Sequence, residues 1–287
     1  MSILVDKEAR VVVHGGTGVY GAAQVASMRA SGTNVVAHVS PGRGGSDLDG
    51  IPVFDLVADA VTATGANAGI IYVPASGVRD AIIEHSAAGI SVAVVAAELV
   101  PAHDALVAAN YARMHGTWIV GPNTVGISSP GRCMLGSIPV EFSREGKIGI
   151  ISRSGTMGLM ASRILTNNGC GQSTIACIGG DAVSARLPHE YLNLFLDDGD
   201  TEMILYVGEI GGLKEYEMLN TVGAADKPVA AMVVGHGAPR GKRMGHAGAL
   251  IGEERETAIA KREALREAGA TVIESFRDLN AWARSVA

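Results

Sequence analysis

The sequence predicts an α/β protein built from two units, the first of them doubly wound. Short apolar runs rich in Val and Ile alternate with amphipathic stretches along all 287 residues. Those runs are apolar on both faces, as in parallel sheets covered by helices on two sides. Glycine supplies 38 residues, about 13% against a typical share of about 7%, and it gathers where strands hand over to helices. With no G-X-Y period and only 10 prolines, that surplus marks turns rather than collagen.

In the first half, residues 10–14, 34–39, 69–73, 91–95 and 117–120 read as buried strands. Residues 21–30, 56–64, 78–88 and 105–113 read as the helices between them. The order βαβαβαβαβ is that of a doubly wound domain. Gly121-Pro122-Asn123 to Pro130-Gly131 and residues 137–146 are turn formers of weak periodicity. The boundary is therefore expected near Ser143, dividing the chain into residues 1–143 and 144–287. The pattern then restarts. Residues 147–152, 172–178, 203–207, 229–234 and 271–274 read as strands, and 157–168, 190–196, 214–222, 256–268 and 276–285 as helices.

Composition excludes several function classes. The net charge is −6 and aromatics are 4%, so the basic footprint and stacking rings of a nucleic-acid binder are both missing. The longest apolar stretch, residues 92–97, is far below the ~20 residues that span a bilayer. The first residues show no signal-peptide pattern. Cys133, Cys170 and Cys177 follow no metal-ligand spacing and read as reduced thiols, which suits a cytoplasmic protein without a resident metal.

In such folds ligands sit outside the carboxyl ends of the strands. The first strand-to-helix turn is His14-Gly15-Gly16-Thr17-Gly18-Val19-Tyr20-Gly21, in which Gly16, Gly18 and Gly21 satisfy G-x-G-x-x-G. Glycine permits the tight turn and lets backbone N–H groups approach a pyrophosphate at the helix start. An NAD site wants an acid about 20 residues further on. Here Val39-Ser40-Pro41-Gly42-Arg43-Gly44-Gly45 offers an arginine instead. Arg43 suits an extra phosphate, the 2′-phosphate of NADP or the 3′-phosphate of coenzyme A. Local chemistry leaves both open.

The second half carries three further loops. Ser152-Arg153-Ser154-Gly155-Thr156 precedes a helix, either as an anion cradle or as an ordinary Ser cap. Gly208-Glu209-Ile210-Gly211-Gly212 puts a carboxylate at a strand end. Gly237-Ala238-Pro239-Arg240-Gly241-Lys242-Arg243-Met244-Gly245-His246-Ala247-Gly248-Ala249 is basic and holds one histidine between small residues, open to reactants. His85, His103, His115 and His189 have no accompanying chemistry. His14, His38 and His236 lie near these loops without a defined role.

These residues resemble the alpha subunit of succinyl-CoA synthetase, in the NDP-forming acid–CoA ligase family. The most specific stretch is Gly241-Lys242-Arg243-Met244-Gly245-His246-Ala247-Gly248-Ala249, supported by the Ser154, Glu209 and Gly121-Pro122-Asn123 loops, Tyr72-Val73-Pro74 and Gly179-Gly180-Asp181. The resemblance runs from the first residues to the final helix. It implies an N-terminal Rossmann-like domain that binds CoA through Thr17, Gly18, Val19, Tyr20, Arg43, Ala96, Ala97, Glu98 and Asn123. It implies a flavodoxin-like C-terminal domain in which His246 is transiently phosphorylated and Glu209 holds its imidazole, with Ser154, Gly155 and Thr156 around the phosphate. It also implies a beta subunit with an ATP-grasp domain carrying ATP or GTP with magnesium, and a small carboxylic acid substrate.

The departures from the family pattern cluster. Leu159 and Met160 stand where the family carries Tyr and Glu near the substrate, which puts succinate in doubt. Ala182-Val183-Ser184-Ala185 lacks the usual Pro and Gly, and Thr124-Val125 replaces Cys-Pro. Gly252-Glu253-Glu254-Arg255-Glu256 replaces a glycine-rich loop, and its acids repel a phosphate unless they point outward. Val19 and Tyr20 replace polar residues, and Arg43 replaces Lys, keeping the charge and adding a bidentate fork. Two other readings stay open: a CoA-binding or acyl-transfer protein that is not phosphorylated, and an NADP-dependent oxidoreductase.

Overall fold

Two seven-stranded sheets organise the chain, each flanked by helices. The computed structural model describes residues 2–287, apart from the side chain of Tyr20, which lies outside the described residues. The first sheet contains β1 (Arg10–His14), β2 (Asn34–Val39), β3 (Asp47–Leu48), β4 (Ile51–Phe54), β5 (Ala68–Ile71), β6 (Val92–Val95) and β7 (Trp118–Val120). Its helices are α1 (Val19–Ala30), α2 (Val57–Thr64), α3 (Val78–Ala87) and α4 (Ala102–Met114). The order is β3-β4-β2-β1-β5-β6-β7, and every pairing except β3–β4 is parallel. Without the β3 edge this is the Rossmann order 3-2-1-4-5-6.

Alternation along the strands explains the layers. Val11 and Val13 pack with Val25 and Met28 of α1, whereas Val12, Ile71 and Val95 pack with Val57, Ala81 and Ala108 on the opposite face. Successive side chains in a strand point to opposite faces, so a run of apolar residues feeds two cores. Ala105, Ala108 and Ala112 recur at helical spacing and bring α4 close to the sheet. The β3–β4 edge was not expected: the stretch between residues 39 and 56 showed no strand pattern, yet β4 pairs in parallel with β2 and buries Ile51 and Val53.

The turn-rich stretch after β7 holds a hairpin, β8 (Gly126–Ser129) and β9 (Cys133–Gly136), which joins the second sheet through antiparallel β8–β11 pairing. The change of sheet thus falls between Val120 and Gly126, ahead of the boundary expected near Ser143. Gly, Ser and Cys give these strands little intrinsic signal. Packing forms them instead: all eight residues are buried, and Thr33 Oγ1 donates to the Met134 carbonyl at 2.8 Å and accepts from its N–H at 2.9 Å.

The second sheet continues with β10 (Glu145–Ser152), β11 (Gln172–Cys177), β12 (Met203–Glu209), β13 (Val229–Val234) and β14 (Thr271–Val272). Its helices are α5 (Gly155–Asn167), α6 (Pro188–Asp197), α7 (Leu219–Gly223), α8 (Ala258–Glu267) and α9 (Phe276–Val286). The parallel part runs β14-β13-β12-β10-β11, the flavodoxin-like order 2-1-3-4-5 read from the other edge. The helix expected over 214–222 is shorter, because residues 216–218 form a 3₁₀ turn before α7. Cys133, Cys170 and Cys177 are free and buried, and burial pushes the Cys133 thiol up to about 11 and Cys177 up to about 12. Among the described residues no helix is long and apolar enough to cross a membrane.

Candidate active site

The glycine loop leaves the first sheet at its switch point, between β1 and the two strands that flank it. A Cβ on Gly21 would stand 2.5 Å from Gly16 Cα, so the loop lies directly on the start of α1. A Cβ on Gly18 meets nothing within 4 Å. Gly18 is the extended N-cap of α1 without a side-chain cap, and the helix start faces open space beside half-buried Thr17 and exposed Val19. That suits an anion.

Arg43 is exposed on the loop after β2. Asp55 shapes this loop, its Oδ1 accepting from the Gly42 N–H at 2.7 Å and the Gly44 N–H at 2.9 Å. Nothing in the spacing of the sequence signalled Asp55, because the contact depends on how β4 returns beside β2. Ala96 and Ala97 are half-buried after β6, and Glu98 is exposed. The Asn123 N–H donates to the Ala97 carbonyl at 2.8 Å, and Asn123 Nδ2 donates to Asp181 Oδ1 at 2.9 Å. Asn123 therefore straps the loop after β6 in the first sheet to the loop after β11 in the second.

His246 lies across the carboxyl ends of β11 and β12. Its Nδ1 is 2.7 Å from Glu209 Oε2, at the last residue of β12. Glu209 is 6% exposed and His246 26%. A carboxylate accepts from Nδ1–H, so the other ring nitrogen, Nε2, keeps its lone pair. The Glu209 hydrogen bond raises the His246 pKa above 6.5, against an opposing effect of burial. Behind Glu209 stands a buried ionic cluster. Arg153 Nη2 is 3.4 Å from Glu209 Oε1, and Arg153 Nη1 donates to Glu215 Oε1 at 2.8 Å. Lys261 Nζ is 2.6 Å from Glu215 Oε2 and donates to the carbonyls of Glu209 and Gly211. Tyr206 OH donates to Glu215 Oε1 at 2.8 Å. Arg153, Glu215 and Lys261 were not anticipated as parts of the site. Adjacency of Arg153 to the Ser154 loop and of Glu215 to the Glu209 loop was the only signal.

Gly180 makes room for the imidazole. A Cβ there would lie 2.3 Å from His246 Nδ1. Gly180→Ala is expected to push the ring off Glu209 and lower its pKa toward 6.5. Titration of the His246 resonances by NMR reads this, and an unchanged pKa contradicts the arrangement.

Ser154 is the N-cap of α5, its Oγ accepting from the Met157 N–H at 3.4 Å. Its hydroxyl thus does the ordinary capping work that the sequence left open. Thr156 is exposed at the first turn, and Gly155 packs on Val125. Leu159 is half-buried against the core and Met160 is 42% exposed. Two of the three acids of the 252–256 loop are engaged, and Glu253 is exposed. Glu254 pairs with Arg240, and Glu256 accepts from the N–H groups of Glu253 and Gly212 at 3.0 and 3.1 Å. That pairing also engages one of the three cations of the His246 loop, leaving Lys242 and Arg243 exposed.

Comparison with known proteins agrees with this layout. Residues 6–99 match the CoA binding domain model, and residues 151–271 match the CoA-ligase model. The chain is 45% identical over 278 residues to a succinate–CoA ligase [ADP-forming] subunit alpha from Aquifex aeolicus, covering 96% of this chain and 91% of that one. It is 42% identical over 277 residues to a malate–CoA ligase subunit alpha from Methylorubrum extorquens, covering 95% and 94%. A solved ATP citrate lyase from Methanothrix soehngenii, in complex with citrate and coenzyme A, superposes with a TM-score of 0.88 at 27% identity. It matches 99% of this chain, which spans about half of that longer one. A CoA-binding Rossmann-like half, a flavodoxin-like half with His246 on Glu209, and identity above 40% along nearly the whole chain make one case: this chain belongs to the family of succinate–CoA ligase alpha subunits.

Proposed function

We propose that this chain is the alpha subunit of an NDP-forming carboxylic acid–CoA ligase, with His246 as the phosphoryl carrier. The 2.7 Å contact between His246 Nδ1 and Glu209 carries the reading. It fixes the tautomer in which Nε2 is the nucleophile.

The reaction divides into balanced transfers. Neutral Nε2 takes the γ-phosphoryl group of ATP or GTP, held with magnesium on a partner beta subunit of the ATP-grasp type, and NDP leaves. A substrate carboxylate oxygen then attacks that phosphorus, and the P–N bond breaks to give an acyl phosphate and free histidine. The thiol of CoA finally attacks the acyl carbon, forming the thioester and releasing phosphate. Splitting the displacement in this way avoids expelling oxide from a carboxylate directly. Glu209, held by Arg153, balances the imidazolium-like charge of the phosphorylated ring.

On the CoA side, the α1 N-terminus with Thr17, Gly18, Val19 and Tyr20 is the proposed phosphate loop. Arg43 meets a further phosphate, and residues 96–98 and Asn123 border the bound chain. Ser154, Gly155 and Thr156 are assigned to the phosphate bound at the second sheet, through backbone N–H groups of the α5 start rather than the capping Ser154 hydroxyl. Leu159 is assigned to the acid pocket. Arg43→Ala is expected to weaken CoA binding roughly tenfold, less at high salt. Calorimetry at two salt concentrations checks it.

The test of the whole reading is labelling. The chain is mixed with its beta subunit and γ-labelled ATP or GTP, without acid or CoA. Acid-labile, base-stable label on this chain is expected. Absence of label, or tight NADPH binding without CoA binding, overturns the reading.

A further inference from the structure

Two loops meet at the proposed phosphoryl carrier. One is residues 210–212, directly after Glu209 at the end of β12; the other is residues 241–251, which hold His246. The second loop closes on itself. The Gly241 N–H donates to the Ile251 carbonyl at 3.1 Å, and the Met244 N–H to the Ala249 carbonyl at 2.9 Å. The segment just beyond it, Gly252-Glu253-Glu254-Arg255-Glu256, is the stretch in which acids replace the family's glycines.

Glu256 joins the two loops. Its Oε2 accepts from the N–H groups of Gly252 and Glu253 at 2.5 and 3.0 Å, at the exit of the histidine loop. Its Oε1 accepts from the Gly212 N–H at 3.1 Å, and its own carbonyl from the Gly211 N–H at 2.9 Å, in the loop that follows Glu209. An ionised carboxylate only accepts, and its two oxygens have room for several donors. Such charge-assisted bonds are roughly twice as strong as neutral ones. These N–H groups, that of Glu253 foremost, hold the Glu256 carboxyl below its usual range, so it is ionised at neutral pH.

Neighbouring contacts run along the same seam. Tyr216 OH donates to the Arg255 carbonyl at 2.9 Å, and the Arg255 guanidinium lies 4.5 Å from the centre of the Tyr216 ring. The seam is tight: a Cβ on Gly211 would stand 2.1 Å from the carbonyl oxygen of Gly248, just beyond His246. The Arg240–Glu254 pair adds a second link across the base of the histidine loop, but it is exposed, and such pairs contribute little by themselves. Glu256 is half-buried and bonds to backbone, so it fixes where the loops run.

From this geometry we propose that Glu256 is a positioning residue for the phosphoryl carrier: by clamping the exit of the histidine loop to the Glu209 loop, it holds His246 on Glu209. The assignment rests on the ligase reading above. A glycine-rich stretch has no side chain with which to make this clamp, so here the acid takes over the placing of the loop.

Two measurements on Glu256→Ala and Glu256→Gln test it. NMR titration of the full chain reads the His246 pKa, which the Glu209 hydrogen bond holds above 6.5. Quench-flow labelling of the chain with its beta subunit and γ-labelled ATP or GTP reads phosphoryl uptake. Glu256→Ala is expected to lower the His246 pKa toward 6.5 and to slow uptake about tenfold, with CoA affinity unchanged. Glu256→Gln keeps the size of the side chain and one accepting oxygen. It is expected to show both effects at smaller size, about threefold in rate, and it decides the matter if the Ala chain does not fold. An unchanged His246 pKa or an unchanged uptake rate overturns the assignment, while label on the parent chain leaves the ligase reading standing. No label on the parent chain overturns the ligase reading and this assignment together.

Discussion

The His246→Asn chain is expected to take up no phosphoryl label from ATP or GTP in the complex, and to lose at least about 10³-fold in CoA-dependent NDP release. Asn keeps a polar side chain of similar reach but has no lone pair basic enough to accept a phosphoryl group. CoA binding is expected to survive, since its proposed contacts lie on the first sheet. Retained label elsewhere on the chain contradicts His246 as the carrier. The companion variant Glu209→Gln separates orientation from charge. Glu209 raises the His246 pKa, and only the neutral ring is a nucleophile, so phosphorylation of the parent chain falls as pH drops through that raised value. Removing the carboxylate charge is expected to move this acid limb to lower pH. The plateau rate should also fall on the order of 10²-fold, because the ring is no longer held. An acid limb unmoved by Glu209→Gln contradicts the coupling. Stopped-flow or quench-flow labelling across pH reads both effects.

The second large effect concerns stability. Arg153→Met is expected to destabilise the fold by about 3–5 kcal/mol, a fall in Tm of roughly 10 °C. Arg153 and Glu215 are each 1% exposed and Lys261 is fully buried. Removing the guanidinium leaves Glu215 shared only by Lys261 and Tyr206, and strips Glu209 of its partner opposite His246. Burial alone raises the Glu215 pKa, but Arg153 and Lys261 outweigh it and hold the carboxyl at about 2. The sign follows from linkage. A depressed carboxyl stabilises the fold above its unfolded value of about 4.5 and ceases to do so as pH falls toward 2. The parent chain should thus weaken over that interval, and Arg153→Met should show a flatter acid limb. A melting temperature within a degree or two of the parent contradicts a structural role for the cluster. Thermal melts between pH 2 and 7 measure it.

Much of the site was legible because its parts are local. Gly16, Gly18 and Gly21 sit within six residues of one another, and a strand before them and a helix after them are enough to mark a candidate anion-binding turn. His246 stood out through its small and basic neighbours, and Glu209 through its place at a strand end. The paired partners were not legible. Arg153 and Glu215 lie 62 residues apart, Asn123 and Asp181 58, and nothing in sequence spacing links them. The acids of residues 253–256 read as a threat to a bound phosphate, but Arg240 engages Glu254 and backbone N–H groups engage Glu256.

The sequence by itself determined the class of fold and most of the alternation of strands with helices, because periodicity and strand-end glycines are written residue by residue along the chain. Tertiary structure alone decided three things. The hairpin β8–β9 belongs to the second sheet, since packing rather than propensity forms its strands. The imidazole rests over Gly180, where any Cβ would collide with it. And a cleft opens between Leu99 and Val183 beside His246, residues from opposite halves brought together where Asn123 and Asp181 link the two sheets. Each depends on side chains far apart in the chain being buried together, which local pattern does not encode.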